Sequence, residues 1–141
     1  MGGVLRYVEQ EQKVCDINGR RYLSGVNCTP ALAQAEFMAT KNLYGKANGV
    51  FFHHYVQSFS PEENVTAQEA HQIGLELAQR FFTGCEVVVA THLDADHLHS
   101  HFVINSVMPD TGKKVHFDAV GRDDIFRSVI TSNCRIRWNV S

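Results

Sequence analysis

The apolar positions of the chain fall into short β-type runs and longer segments of helical period, separated by turn residues. Residues 50–59 and 86–92 are rich in β-branched and aromatic side chains, which favour strands, and residues 50–59 predict a central one. A further strand is expected over 97–107, after an acidic loop, and a short one over 115–117. An Asn-Gly pair predicts the turn of a β-hairpin over 13–24.

Helices are predicted from apolar spacing and from capping residues. A short helix is expected over 4–9. A longer one over 30–44 has threonine as its N-cap, proline at its first position and glycine after its end. Residues 66–82 open with a Thr-x-x-Glu capping box, and a last helix is predicted over 123–135. Because short turns join the strands, the pattern favours an α+β fold: a central antiparallel sheet with helices packed on one face.

Composition limits the class of protein. The 141 residues suffice for one domain with a buried core, and a composition of 44% hydrophobic and 20% charged residues excludes a disordered chain. Residues 1–15 lack the apolar segment of a secretory signal, and no apolar run approaches the roughly 20 residues of a membrane span. The four cysteines are scattered without a C-x-x-C pair, which predicts reduced thiols in a cytoplasmic protein.

The charge of the chain is unevenly distributed. The net charge is −2, but residues 47–112 hold one basic residue against eight acidic ones, so the flanks are basic. A polyanion would therefore be held by the flanks, although ordinary solvated charges explain the same pattern. The basic residues concerned are Arg6, Arg20, Arg21, Lys113, Lys114, Arg122 and Arg127.

Four of the eight histidines lie within residues 92–101. By strand parity, His97, His99 and His101 project from one face. The preceding strand should pair with this one through a tight loop, which brings His92 beside His99 and His101 instead. Three neutral imidazoles leave a divalent ion its full charge and open coordination positions, which suits an electrophilic site for phosphate oxygens. His97 stays an alternative ligand or a residue that contacts substrate.

The residues around this cluster are less specific. Asp94 and Asp96 are close enough in sequence to orient ligand imidazoles through hydrogen bonds, and a plain acidic turn is the alternative interpretation. His71 and His116 are expected to be surface residues.

Several segments resemble one protein family. The pattern H-x-D-x-x-H-x-H-x-H at residues 92–101, followed by Phe-Val-Ile-Asn, resembles the third motif of conjugative relaxases. These are the MOB-P and MobA/MobL-type mobilisation nucleases of Gram-positive mobile elements, within the HUH endonuclease superfamily. The sequence SGVNC at residues 24–28 resembles the family's segment before its first long helix, and residues 54–59 resemble its second motif. The similarity covers about residues 4–140.

The resemblance implies a fold, a reaction and a set of site residues. It implies a relaxase fold with a ferredoxin-like core, with residues 1–141 forming the catalytic domain of a longer protein. It implies metal-dependent nicking of single-stranded DNA at an origin of transfer, with a 5′-phosphotyrosyl intermediate. The implied metal ligands are His92, His99 and His101. Mn²⁺ or Mg²⁺ would serve in function, and Zn²⁺ or Ni²⁺ could be the ion bound, because imidazoles hold these more tightly.

The nucleophile is not decided by spacing. Each of four tyrosines is a candidate: Tyr22 and Tyr44 lie where packing roles are expected, and Tyr55 on a strand is the runner-up. The segment Val-Leu-Arg-Tyr-Val around Tyr7 resembles the family's first motif, which favours Tyr7. A phenol with a pKa of about 10 needs activation, which a metal-bound phosphate nearby would supply.

The resemblance also suggests contacts to DNA. His54 matches the second motif and is expected to approach the site, with a satisfied core histidine as the alternative; His53 points to the opposite face. Ser58 shares the face of His54 and is a candidate contact to a DNA phosphate, as is Arg6 beside the candidate nucleophile. Asp94, Asp96 and His97 are assigned to the catalytic group.

Partners and departures follow from the same resemblance. The expected partners are single-stranded origin DNA and, through regions outside this chain, an accessory relaxosome protein and a coupling ATPase, in the bacterial cytoplasm and without a membrane. The family's pattern has a strand before the tyrosine segment that is not predicted here. Ser100 stands where a hydrophobic residue is expected between the last two histidines.

Two other functions fit parts of the pattern. A histidine-triad nucleotide hydrolase would use residues 97–103, but it departs from the pattern at Ser100 and gives no role to His92 or Asp94. A module that binds origin DNA without cutting it is the second alternative.

Overall fold

The computed structural model describes residues 1–60, 62, 64–93 and 97–115, and the backbone of residues 134–139. Its helices are α1 (Gly2–Val8), α2 (Glu11–Val14), α3 (Ala33–Leu43) and α4 (Ala67–Phe81), with a 3-10 turn at Pro30–Leu32. Its strands are β1 (Leu23–Val26), β2 (Phe52–Phe59), β3 (Val87–His92), β4 (His99–Asn105) and β5 (Cys134–Asn139). No helix in the described ranges is long and apolar enough to span a membrane.

The five strands form one sheet in the order β1-β3-β4-β2-β5, and every neighbouring pair is antiparallel. The predicted α+β fold with an antiparallel sheet is thus confirmed, and the run 50–59 supplies an interior strand, β2. At the centre, β4 pairs with β3 on one side and with β2 on the other. This central strand carries two of the histidines of the predicted site.

Helices cover both faces of the sheet, so the expectation of helices on one face is wrong. Val87 and Val89 pack with α4, whereas Val88 and Ala90 pack in a second cluster with residues of α1 and α3. All six residues of β3 are buried. The apolar run of β3 has no alternation because neither of its faces meets solvent.

The predicted hairpin over 13–24 is wrong as a strand pair, although its turn is present. Residues of α2 form a helical turn, a single bridge joins Cys15 to Arg21, and β1 pairs with β3. The Asp16 carboxylate accepts hydrogen bonds from the amides of Asn18 and Arg20, each at 2.9 Å. The bridge keeps the two backbone hydrogen bonds of an antiparallel pair, but the pairing ends there because the residues before it are helical and those after it pair with β3.

The end of the chain also differs from expectation. The backbone of Cys134 and Arg135, predicted to close the last helix, belongs to β5, which pairs with β2. Without β5, β2 would expose an unpaired edge of amide and carbonyl groups. The rest of that predicted helix lies outside the described residues. Of the short strand predicted over 115–117, only Val115 is described, and the neighbouring Lys114 forms a bridge with Val107.

The two predicted helix starts behave differently. At α4 the Thr66 hydroxyl accepts a hydrogen bond from the Glu69 amide at 3.1 Å, as the capping box predicts. The Thr29 side chain makes no capping bond, and its own amide donates to the Glu36 carboxylate at 3.1 Å. The Thr-Pro start opens a 3-10 turn, and the α-helix follows at Ala33.

This difference predicts unequal effects of two matched substitutions. Thr66→Ala should lower the free energy of unfolding by about 1 kcal/mol, because it leaves a helix amide without its acceptor. Thr29→Ala should change it by much less. Urea denaturation followed by circular dichroism measures both. Equal losses would mean that the Thr66 cap contributes nothing specific to α4.

Candidate metal centre and nucleophile

Antiparallel pairing of β3 with β4 brings three histidines together. His92 lies directly opposite His99, and Ala90 lies opposite His101, so alternation places all three imidazoles on the same face. Their potential ligand atoms all lie within 4.8 Å of one another. The ring centroids of His92 and His101 are 4.2 Å apart. This spacing is compatible with three imidazoles around one ion.

The His92 ring is held by a backbone carbonyl. It is fully buried, and its Nε2 lies 2.9 Å from the carbonyl oxygen of Val8 at the end of α1. A carbonyl only accepts hydrogen bonds, so Nε2 must carry the proton, and Nδ1 keeps its lone pair. Metal-binding histidines commonly donate their other N–H in this way. The contact therefore fits His92 for a metal ion.

His101 has a nitrogen that fits a metal in the same way. Its Nδ1 lies 2.8 Å from Nε2 of His54, whereas its buried Nε2 makes no hydrogen bond within the described part of the chain. A buried nitrogen in this state is unfavourable unless something else binds it. Burial, followed by the nearby His92, His54, His99 and Lys13, lowers the pKa of His101 to about 2. The ring is therefore neutral and can donate a lone pair.

His99 and His97 have different positions. The half-buried His99 lies in the ligand group, and its Nδ1 is 3.4 Å from the carbonyl oxygen of His97. The His97 side chain is exposed, with its ring centroid 6.2 Å from that of His99, and it lies outside the group. The structure thus brings together the set expected from strand pairing rather than the row expected from parity. Asp94 and Asp96 lie outside the described residues.

Tyr7 lies beside this histidine cluster. Its ring centroid is 5.8 Å from that of His92 and 6.0 Å from that of His101. The residue is 46% exposed. It directly precedes Val8, whose carbonyl contacts His92. The end of α1 therefore positions the tyrosine and one histidine together.

The other three tyrosines have structural partners away from the cluster. The Tyr22 hydroxyl donates to the Asp16 carboxylate at 3.0 Å, and the Tyr44 hydroxyl donates to the carbonyl oxygen of Pro109 at 2.7 Å. Tyr55 is 2% exposed and packs in the core that faces α4. All four tyrosines lie within the described ranges, and among them Tyr7 is the one whose ring lies beside those of His92 and His101.

One residue near the site is missing from the sequence prediction. The Lys13 ammonium lies 5.1 Å from the ring centroid of Tyr7, and the Lys13 carbonyl accepts a hydrogen bond from the Leu93 amide at 2.7 Å. The sequence pattern placed this lysine at the start of the predicted hairpin. Its true position depends on the helical turn α2, which no residue pattern in this segment indicated.

The predicted DNA contacts divide into two groups. Arg6 is exposed in the last turn of α1, adjacent to Tyr7 in sequence. Ser58 lies opposite His99 in the β2–β4 ladder and so borders the cluster. His54 stacks on His101, with ring centroids 5.0 Å apart, and burial lowers the pKa of His54. Its contacts make His54 a support for His101, which the sequence pattern alone did not suggest.

An antiparallel sheet that presents three histidines beside an exposed tyrosine is the arrangement expected of a relaxase nuclease domain. Comparison with protein families agrees, because residues 7–132 match the model described as relaxase, MobA/VirD2-like, nuclease domain. The chain therefore belongs to the MobA/VirD2-like relaxase family.

Curated relatives carry related names. The chain is 48% identical over 102 residues to a "Protein rlx" of Staphylococcus aureus, covering 72% of this chain and 32% of the relative. It is 39% identical over 79 residues to the "Group II intron-interrupted relaxase LtrB" of Lactococcus lactis subsp. cremoris, covering 55% of this chain and 14% of the relative. It thus spans about a third or less of these relatives. No solved structure matches it significantly.

Proposed function

We propose that this domain nicks single-stranded DNA at an origin of transfer, with Tyr7 as the nucleophile and His92, His99 and His101 as ligands of a divalent metal ion. The observation that carries this proposal is the position of the exposed Tyr7 ring, 5.8 Å and 6.0 Å from the rings of His92 and His101. Membership of the relaxase family supports it independently.

The proposed reaction is a transesterification. The Tyr7 oxygen forms a bond to phosphorus, the bond from phosphorus to the 3′ oxygen breaks, and the phenol proton is lost as the 3′ hydroxyl gains one. One phosphodiester replaces another, so a free 3′ hydroxyl can reverse the step and rejoin the strand. A bound divalent ion would polarise the scissile phosphate and stabilise the negative charge that develops on it.

The protein's own groups hold this geometry. The Val8 carbonyl fixes the tautomer of His92. In the tautomer of His101 that leaves Nε2 for a metal ion, Nδ1–H donates to Nε2 of His54, so that both rings direct a lone pair towards the cluster. The Lys13 ammonium near Tyr7 would pair with a DNA phosphate and favour loss of the phenol proton. Val8, His54 and Lys13 thus orient side chains or stabilise charge, and none of them forms or breaks a bond in the reaction.

Other roles rest on sequence and position. We place Arg6 and Ser58 in contact with DNA phosphates, and the exposed His97 at the rim, where it can exchange a proton with substrate. Asp94 and Asp96 keep their proposed roles in orienting the imidazoles. Mn²⁺ or Mg²⁺ is the proposed working ion, although three imidazoles bind Zn²⁺ or Ni²⁺ more tightly.

The whole protein would act with further partners. We propose that an accessory relaxosome protein and a coupling ATPase dock on regions outside this chain, and that the protein works in the bacterial cytoplasm. The present domain would then supply cleavage and strand rejoining only.

Metal removal tests the proposed reaction. The protein incubated with single-stranded origin DNA and Mn²⁺ should form an adduct that survives denaturing electrophoresis. EDTA should abolish this adduct, and added Mn²⁺ should restore it, because the phosphate is a poor electrophile without the ion. An adduct that forms equally well in EDTA would exclude the three-histidine site from the reaction. Binding without an adduct in Mn²⁺ would favour a DNA-binding module.

A further inference from the structure

A row of hydrogen-bonded polar side chains, buried except for the half-buried Ser24, lies on the face of the sheet opposite the histidine cluster. The Ser24 hydroxyl lies 2.7 Å from Nε2 of His71, whose Nδ1 lies 2.9 Å from the Thr91 hydroxyl, which lies 2.9 Å from that of Ser100. His71 is buried, with 9% of its surface exposed, so its assignment to the surface is wrong. His116 lies outside the described residues. Thr91 and Ser100 alternate with the cluster histidines and so point to the opposite face of the sheet.

Only one assignment of donors and acceptors along this row gives every buried hydroxyl hydrogen an acceptor. Thr91 and Ser100 have no solvent exposure, and within the described residues the Ser100 hydroxyl has only Thr91 as a partner. Ser100 must therefore donate to Thr91, and Thr91 to Nδ1 of His71. Burial, and then Arg20, lowers the pKa of His71, which keeps the ring neutral. Its single N–H, on Nε2, then donates to Ser24.

With these donor and acceptor roles, one hydroxyl hydrogen at the end of the row, that of Ser24, remains available. Ser24 accepts from His71, so its own hydroxyl hydrogen is available for another acceptor, and no described residue accepts it. Ser24 lines an open cavity of about 670 Å³ between β1 and the start of α4. The buried network thus presents a hydroxyl donor to this cavity.

The cavity is also cationic. Arg20 and Arg21, both exposed, belong to its lining. Arg20 is held in place by the Tyr22 ring, 5.6 Å from its guanidinium carbon, and by a 3.3 Å hydrogen bond to Gln68. One carboxylate, that of Glu69, also lines the cavity and accepts a hydrogen bond from Thr66 at 3.0 Å. Two guanidinium groups, one carboxylate and a free hydroxyl donor fit a singly charged anion.

We propose that this cavity binds a backbone phosphate of single-stranded DNA, with Arg20 and Arg21 supplying charge and Ser24 supplying a hydrogen bond. A phosphodiester carries one negative charge, which matches the lining. The cavity lies on the face of the sheet opposite the histidine cluster, so it would hold a segment of the strand away from the cleaved bond. The choice of DNA as the anion's source rests on the proposed function.

The test uses a fluorescent oligo(dT) strand, with binding followed by anisotropy in EDTA. The double variant Arg20→Gln with Arg21→Gln should weaken binding about tenfold, and Ser24→Ala should weaken it severalfold. The double variant should also reduce the salt dependence of log K by roughly 0.7 for each phosphate that the arginines no longer neutralise. The matched control is Arg80→Gln, an exposed arginine in the last turn of α4 that does not line the cavity.

Three results would overturn the proposal: unchanged affinity in the double variant, an equal loss in Arg80→Gln, or no binding of oligo(dT) by the wild-type protein. An arm with inorganic phosphate separates the sources. In one combination of results, inorganic phosphate shifts the NMR signals of Ser24 in the wild-type protein while the double variant still binds oligo(dT) with wild-type affinity. That combination would show that the cavity binds a free ion and would contradict its binding of DNA. Because this assay contains no metal, failure of adduct formation does not affect it, and the two proposals can fail separately.

Discussion

Tyr7→Phe should abolish the covalent protein–DNA adduct, lowering its rate of formation by on the order of a thousandfold or more. The substitution removes the oxygen that would attack phosphorus and keeps the ring that packs beside His92 and His101. DNA affinity and thermal stability should stay close to wild type, because the side chain is 46% exposed. Denaturing electrophoresis of labelled single-stranded origin DNA with Mn²⁺ measures the adduct.

Two tyrosines provide matched controls. Tyr44→Phe removes a hydroxyl that bonds to Pro109, and Tyr55→Phe changes a core side chain. Both variants should form the adduct, with at most a change in stability. If Tyr7→Phe formed the adduct and Tyr55→Phe did not, the nucleophile would be the runner-up of the sequence analysis.

His101→Ala should have the second largest effect, on metal affinity and on the adduct together. We expect affinity for Mn²⁺ or Zn²⁺ to fall by at least about a hundredfold, since even hydrogen-bond partners of metal ligands contribute 10- to 100-fold. His54→Ala, which removes such a partner, should reduce affinity by about tenfold. Isothermal titration calorimetry measures both affinities.

Folding has to be controlled in this experiment, because His101 is buried. Circular dichroism and thermal unfolding establish whether the variant retains its structure. His53→Ala is the matched control, since His53 lies on the same strand as His54 but on the opposite face. Folded His101→Ala protein with wild-type metal affinity would show that this ring does not bind the ion.

Local patterns predicted the elements that depend on local interactions. The Thr66 capping box and the β-branched run 86–92 each correspond to an element of the structure. The hairpin over 13–24 is reduced to one bridge because the residues before the bridge form α2 and those after it pair with β3. The pairing of β1 with β3 joins segments far apart in sequence, so a local pattern does not reveal it.

The candidate site could be predicted only in part for a similar reason. Parity along one strand grouped His97 with His99 and His101, whereas pairing between strands replaced it with His92. Pairing was predictable because the loop between the strands is short. The approach of Lys13 to Tyr7 was not, since it depends on how α1 and α2 pack at the end of the sheet.

The burial of His71 also could not be predicted from the sequence. Its place on a polar helix suggested the surface, but its two nitrogens contact Ser24 and Thr91 on neighbouring strands. The unusual Ser100 between two cluster histidines takes part in the same chain of hydrogen bonds. The role of this serine is explained by its contact on the opposite face of the sheet, which the sequence does not reveal.

Mass-spectrometric mapping of the adduct tests the central claim most directly. Trypsin cleaves after lysine and arginine, so the four tyrosines fall in four separate peptides: 7–13, 22–41, 42–46 and 47–80. After nuclease trimming, we predict a nucleotide on peptide 7–13, with fragment ions that place it on Tyr7. A nucleotide on peptide 47–80, or on any peptide other than 7–13, would contradict Tyr7 as the nucleophile.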